Sequence, residues 1–193
     1  NLTLRYHKFV GRLIENIKIA LNIKDLYQYP LYPWRHDYHQ AIVFKAKSST
    51  GDNPPSQVYN VQETLDQIKT LYYLSRGMPI IVYLSGWQQG GHDHQFPLLT
   101  RPGKHLMRAG IDSTPLEALR WLIKTAKEYN TTVSLQINMH KAVADNELYW
   151  QYKTQGLFSS GPYEGFSNTL GVETNRINTK LEWERGYTQK RID

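Results

Sequence analysis

Cysteine is absent from all 193 residues, which excludes disulfides and thiolate metal sites and leaves the redox compartment open. Also missing are an apolar run near the ~20 residues a membrane-crossing helix needs and a signal peptide at the N-terminus. No internal repeat or low-complexity tract interrupts the chain, and no basic tract does either. The net charge is +6, but Lys and Arg are scattered with acidic residues between them. A solvated basic surface explains that balance better than a nucleic-acid footprint, so no nucleic-acid partner is expected. The chain opens on Asn1 rather than Met and closes on Arg191-Ile192-Asp193, so a piece of a longer polypeptide is expected.

What is abundant is aromatic: 14 Tyr and 5 Trp. Such flat amphipathic rings line carbohydrate and peptide grooves as well as cores. Hydrophobic content of 40% and charged content of 21% are ordinary for one globular domain. The length falls slightly below the roughly 200 to 250 residues of a complete (β/α)8 barrel.

Val10, Leu13, Ile14, Ile17 and Leu21 share one face over 9–24 and predict an amphipathic helix; "YQYPLYPWRHDYH" then reads as an irregular connection. "AIVFKA" (41–46) is a short strand and "KSSTGDNPPS" a loop. Asn60-Val61-Gln62-Glu63 has the form of a capping box, followed by Val61, Leu65, Ile68 and Leu71 at helical spacing up to Gly77. "PIIVYLS" is continuously apolar and β-branched between Pro79 and Gly86, as strands covered on both faces are. Thr114-Pro115 starts another helix, with Leu116, Leu119, Leu122, Ile123 and Ala126 as its stripe. "TTVSLQIN" (131–138) is the third strand. This alternation predicts an α/β fold with parallel strands in a βαβαβ array. Further on, "ADNELYWQYK" predicts a helix, "SSGPYEGFSN" a loop, and "RINTKLEWERGYTQKRI" a last amphipathic helix.

Parallel α/β folds bind ligands beyond the C-terminal ends of their strands. Here the first end offers Lys45 and Lys47, the second Trp87, Gln88, His92, Asp93 and His94, the third Gln136, Asn138 and His140. Their convergence on one rim is the main pointer to a site. Plainer roles compete at each position. Gly86, Gly90 and Gly91 could serve only a tight turn, Trp87 could plug the core, and the Asp-His pair could satisfy backbone donors. The glycines do not form a phosphate loop, and Ser85-Gly86-Trp87 lacks the flanking glycines of a nucleophile elbow. His92, His94 and His140 with Asp93 leave a metal-dependent barrel hydrolase open as an alternative. A glycosidase needs two carboxylates about 5 Å apart or somewhat wider, and the rim offers only Asp93.

"IVYLSGWQQGGHDHQFP" resembles the strand-and-loop motif of bacterial endo-α-N-acetylgalactosaminidases and their exo-acting relatives. There a hydrophobic strand runs into Gly-Trp-Gln, then Gly-His-Asp, then an aromatic residue and Pro. "YNVQETLDQIKTLYYLSRGMP" is similar to the preceding helix of that family, and "LEALRWLIKTAKEYNTTVSLQINMHKA" to the helix and strand that follow. The likeness covers roughly 40–140, with Phe96 where Tyr and Gln136 where His would be usual.

The resemblance implies a parallel (β/α) barrel of TIM type, incomplete in this chain. Residues 1–39 would be an N-terminal helix and connecting segment, and 40–193 the first part of the glycosidase-like domain. The implied reaction is retaining hydrolysis of α-linked N-acetylgalactosamine on mucin-type O-glycans, with no cofactor and no metal. The implied partner is a glycan or glycoprotein, and the implied location secreted or cell-surface. Trp87, Gln88, His92, Asp93 and Asn138 would line the sugar subsite by this resemblance, with His140 and Lys45 on the same rim. The catalytic carboxylates are expected beyond Asp193, supplied by a further C-terminal half or a partner chain, and the isolated chain is expected to be inactive. A non-catalytic carbohydrate-binding protein is the alternative.

Overall fold

The computed structural model describes residues 41–192 apart from 53, 162 and 163. The helix expected over 9–24 and its connecting segment lie outside the described residues. β1 (Ile42–Lys47), β2 (Ile80–Ser85) and β3 (Thr131–Leu135) form a parallel sheet in that order, with Ile42 opposite Ile80 and Ile80 opposite Thr131. α1 (Val61–Leu74) and α2 (Pro115–Ala126) make the two crossovers.

Local chemistry accounts for both helix starts. The Asn60 side chain accepts from the amides of Gln62 and Glu63, while Glu63 accepts from the Asn60 amide, the reciprocal capping box. Thr114 accepts from the Glu117 amide, and Pro115 fills the first position, where no donor is needed. Caps of this kind are worth ~1 kcal/mol. Packing decides where the helices lie: Val61, Leu65 and Ile68 of α1, and Ala118, Leu119 and Leu122 of α2, are buried against Ile80, Val82 and Leu84. Each large side chain so buried contributes roughly 1.5–3 kcal/mol, so the apolar faces outweigh the caps.

The other face of the sheet has no helix packed on it among the described residues. Val43, Lys45, Lys47, Tyr83 and Ser134 are exposed there, so helices among the described residues cover one face rather than the two expected from "PIIVYLS". β2 carries the apolar run because it is the central strand, flanked on both edges, which raises its burial without a second layer.

After β3 the parallel alternation stops. β4 (Lys141–Val143), β5 (Phe158–Ser159), β6 (Gly165–Ser167) and β7 (Val172–Ile177) make an antiparallel sheet with β7 paired to the other three. α3 (Glu147–Thr154) confirms the helix expected in "ADNELYWQYK", with Asn146 as its cap. Two expectations are corrected here. The stretch expected as loop contains Ser159 and β6. The expected last helix is divided, because Arg176 and Ile177 belong to β7 and Gly186 at φ +73° separates α4 (Thr179–Glu184) from α5 (Tyr187–Ile192). Tyr149, Tyr152, Leu157 and Ile177 form a second core. Beside it the Tyr152 hydroxyl donates to Glu182 (2.5 Å), which also pairs with buried Arg191 at 2.6 Å. The described residues thus contain a parallel α/β unit and do not close a barrel.

Candidate functional site

The loop leaving β2, residues 86–97, is pressed backbone to backbone on the loop leaving β1. A Cβ at Gly86 would stand 2.2 Å from the Ser49 carbonyl oxygen, and one at Gly91 2.1 Å from that of Thr50. In the reverse direction, a Cβ at Gly51 would stand 2.2 Å from the His92 carbonyl oxygen. The glycines therefore do more than permit a turn: they let two chains touch with no side chain between them.

His94 fastens the same loop. Its Nδ1 is 2.8 Å from an Asp145 carboxylate oxygen and its Nε2 3.1 Å from the Gly51 carbonyl oxygen. Neither a carboxylate nor a carbonyl can donate, so both ring nitrogens donate and the imidazolium is the form that fits. Burial disfavours that charge, but the Asp145 hydrogen bond and charge outweigh it and hold the His94 pKa above its ordinary 6.5. Asp145 also accepts from the Gln95 amide, and Asn146 donates to the carbonyls of Phe96 and Val143. The Phe96–Pro97 peptide is cis.

Trp87 is 2% exposed, packed in the main core, and its Nε1 donates to the Gln136 carbonyl at 2.8 Å. It ties β2's end to β3's end from below rather than facing the rim. Gln88 is buried next to it, with Nε2 unpartnered among the described residues, as is Oε1 of Gln136. Asn138 is half-buried and its side chain accepts from the His140 amide; His140 itself is exposed.

The remaining predicted residues gather above them. Asp93 sits at φ +68° with Oδ2 3.3 Å from Lys141 Nζ, while its Oδ1 is buried and accepts no hydrogen bond among the described residues. His92, its side chain 24% exposed, places Nδ1 3.6 Å from the other Asp93 oxygen. Burial lowers the His92 pKa, and Lys45, Lys47 and Lys141 push it the same way against the pull of Asp93. Lys45 and Lys47 project from the exposed face of β1.

The structure therefore divides the predicted residues. His92, Asp93 and Lys45 belong to one charged cluster, and Trp87 and Gln88 support it from the core. The metal arrangement drawn from His92, His94 and His140 does not assemble: His94 is committed at both nitrogens, and no three His, Asp or Glu groups suited to a metal gather among the described residues. Sequence reasoning missed Asp145 and Lys141. Both lie about fifty residues beyond their partners, and only the antiparallel sheet brings them back.

This arrangement of strands and helices recurs in known enzymes. The α-N-acetylgalactosaminidase NagBb from Bifidobacterium bifidum, in its Gal-NHAc-DNJ complex, matches with a TM-score of 0.53 and 10% identity, over 80% of this chain and 25% of that one. The trehalose-6-phosphate hydrolase TreA from Bacillus licheniformis matches with a TM-score of 0.52 and 9% identity, over 83% and 33%. The chain shares part of the fold of these two enzymes and spans about a quarter to a third of their length. No family model matches it, and no curated protein does. No described helix is long and apolar enough to cross a membrane.

Proposed function

We propose that this chain is the substrate-holding part of a glycoside hydrolase that acts on α-linked N-acetylgalactosamine of mucin-type O-glycans, with loop 86–97 as the sugar subsite. The observation that carries this reading is Asp93 Oδ1, a buried carboxylate oxygen with no donor among the described residues. An acceptor left in that state costs roughly 1–3 kcal/mol, and a sugar hydroxyl would satisfy it. His92 supplies a second polar group beside it, and the fold likeness includes an enzyme named for this sugar. Asp93 is then read as a hydroxyl acceptor and not a nucleophile, since one of its oxygens is engaged by Lys141 at 3.3 Å and no second carboxylate among the described residues accompanies it on the rim.

N-acetylgalactosamine titrated into the chain and followed by NMR or calorimetry tests this. Binding should weaken at least about tenfold in Asp93→Ala, the loss of one hydrogen bond to a charged group. It should be indifferent to chelator. Equal binding by wild type and Asp93→Ala would sink the sugar subsite, and loss on chelation would revive a metal centre. The isolated chain should not hydrolyse an aryl α-N-acetylgalactosaminide. A carbohydrate-binding protein without catalysis is the second reading, favoured by Asp145 being committed to His94 instead of standing free as an acid. Hydrolysis by a longer polypeptide containing this chain would eliminate it.

A further inference from the structure

We propose that the lysines of the rim, Lys45, Lys47 and Lys141, recognise an anionic substituent, a sulfate or a carboxylate, on the glycan bound at Asp93. This rests on the sugar-subsite reading and specifies which sugars the subsite takes. Lys45 and Lys47 alternate in β1 and so project from the same open face of the sheet. Lys45 lies in register with Tyr83, which is 38% exposed, and Tyr83 with exposed Ser134. An ammonium, an aromatic ring and a hydroxyl therefore stand in one row across three strands. Lys141 comes from β4 and reaches the Asp93 carboxylate from another side.

The charge balance of this cluster is uneven. Lys141 pairs with Asp93, whereas neither Lys45 nor Lys47 has an ion-pair partner among the described residues. All three are close enough to act on the His92 ring, whose lowered pKa keeps it from adding a fourth charge at neutral pH. Lys45 and Lys47, like charges two residues apart on one face of β1, repel each other unless an anion or solvent compensates them. The ligand must satisfy two opposite demands at once. Among the described residues Asp93 Oδ1 lacks a donor, which a neutral hydroxyl provides, and the exposed ammonium groups of Lys45 and Lys47 are open to an anion. Inorganic phosphate or sulfate would serve the lysines but set its charge against Asp93. An acidic sugar carries both groups, held apart by its ring.

The test compares affinities of the chain for N-acetylgalactosamine, an O-sulfated N-acetylgalactosamine and a sialylated N-acetylgalactosamine. At least one anionic form should bind about tenfold more tightly than the neutral sugar, and which one does so identifies the anion. In the double variant Lys45→Gln/Lys47→Gln the ratio of anionic to neutral affinity should fall close to one. Lys124→Gln/Lys127→Gln, which removes equal charge from the end of α2 and the turn after it, should leave the ratio unchanged. Equal affinities in wild type would overturn the anion preference while leaving the sugar subsite standing. A ratio that survives the β1 variant, or falls equally in the control, would also overturn it. If none of the three sugars binds, both readings fall together.

Discussion

At Gly91, whose φ is +99°, an added Cβ would meet a backbone oxygen at 2.1 Å, so alanine there demands both a strained conformation and a shift of the Thr50 peptide. Gly110 also has positive φ, +72°, but nothing lies within 4 Å of its added Cβ. Gly110→Ala should therefore lose only the conformational term, about 1 kcal/mol, and Gly91→Ala roughly 3 kcal/mol. Urea denaturation measures both, and equal losses would show that the two loops do not touch as described. His94 makes a second prediction at this scale. Its folded pKa is raised, so its contribution is fully present below the unfolded value of 6.5 and is lost as pH rises through the folded value. His92, and His105 whose Nε2 lies 3.0 Å from the Gly86 carbonyl oxygen, are lowered, chiefly by burial, so their contributions run the other way and weaken as pH falls below 6.5. Ring-proton NMR should show His94 titrating above 6.5 and the other two below it, with Asp145→Asn bringing His94 down. A His94 that titrates below 6.5 in the intact chain would contradict the doubly donating ring.

The elements differ in how local their causes are. Asn60→Ala should cost α1 about 1 kcal/mol and Leu65→Ala about 2–5 kcal/mol, with unchanged dependence on denaturant concentration. A larger loss from the cap than from the core residue would reverse the order argued for this helix. β1, β2, β3 and both crossover helices were legible because each carries its own signal: a β-branched run, a cap, a stripe. β7 was not, since "VETNRI" alternates polar residues and is a strand only because β4, β5 and β6 pair with it. The three residues of β4 are too few to carry a period at all. The site was legible to the same degree. His92 and Asp93 announced themselves in one loop, but the partners Asp145 and Lys141 depend on that unreadable sheet. Trp87 could not be assigned to core or rim, because its place in the core depends on distant partners, among them the Gln136 carbonyl just past β3.

Taken whole, the described residues bury one face of a three-stranded sheet and leave exposed Val43 and Tyr83 on the other. β1 and β3 each have an outer edge with no strand paired to it among the described residues. Open edges beside an uncovered face invite pairing with another chain. Sedimentation velocity over about a tenfold range of concentration should therefore show the average mass of the isolated chain rising. A constant monomer mass would mean that the face and edges are covered within the chain itself.

The seam between the loops after β1 and β2 bears on how a ligand would be received. Thr50 and Gly91 meet without an intervening side chain, and His94 pins Gly51 to Asp145 across them. Neither loop can swing outward without separating from the other. The ordering entropy of residues 86–94 is therefore spent when the protein folds, and little remains to be lost when a sugar arrives. The association rate should be set by diffusion and orientation rather than by loop closure.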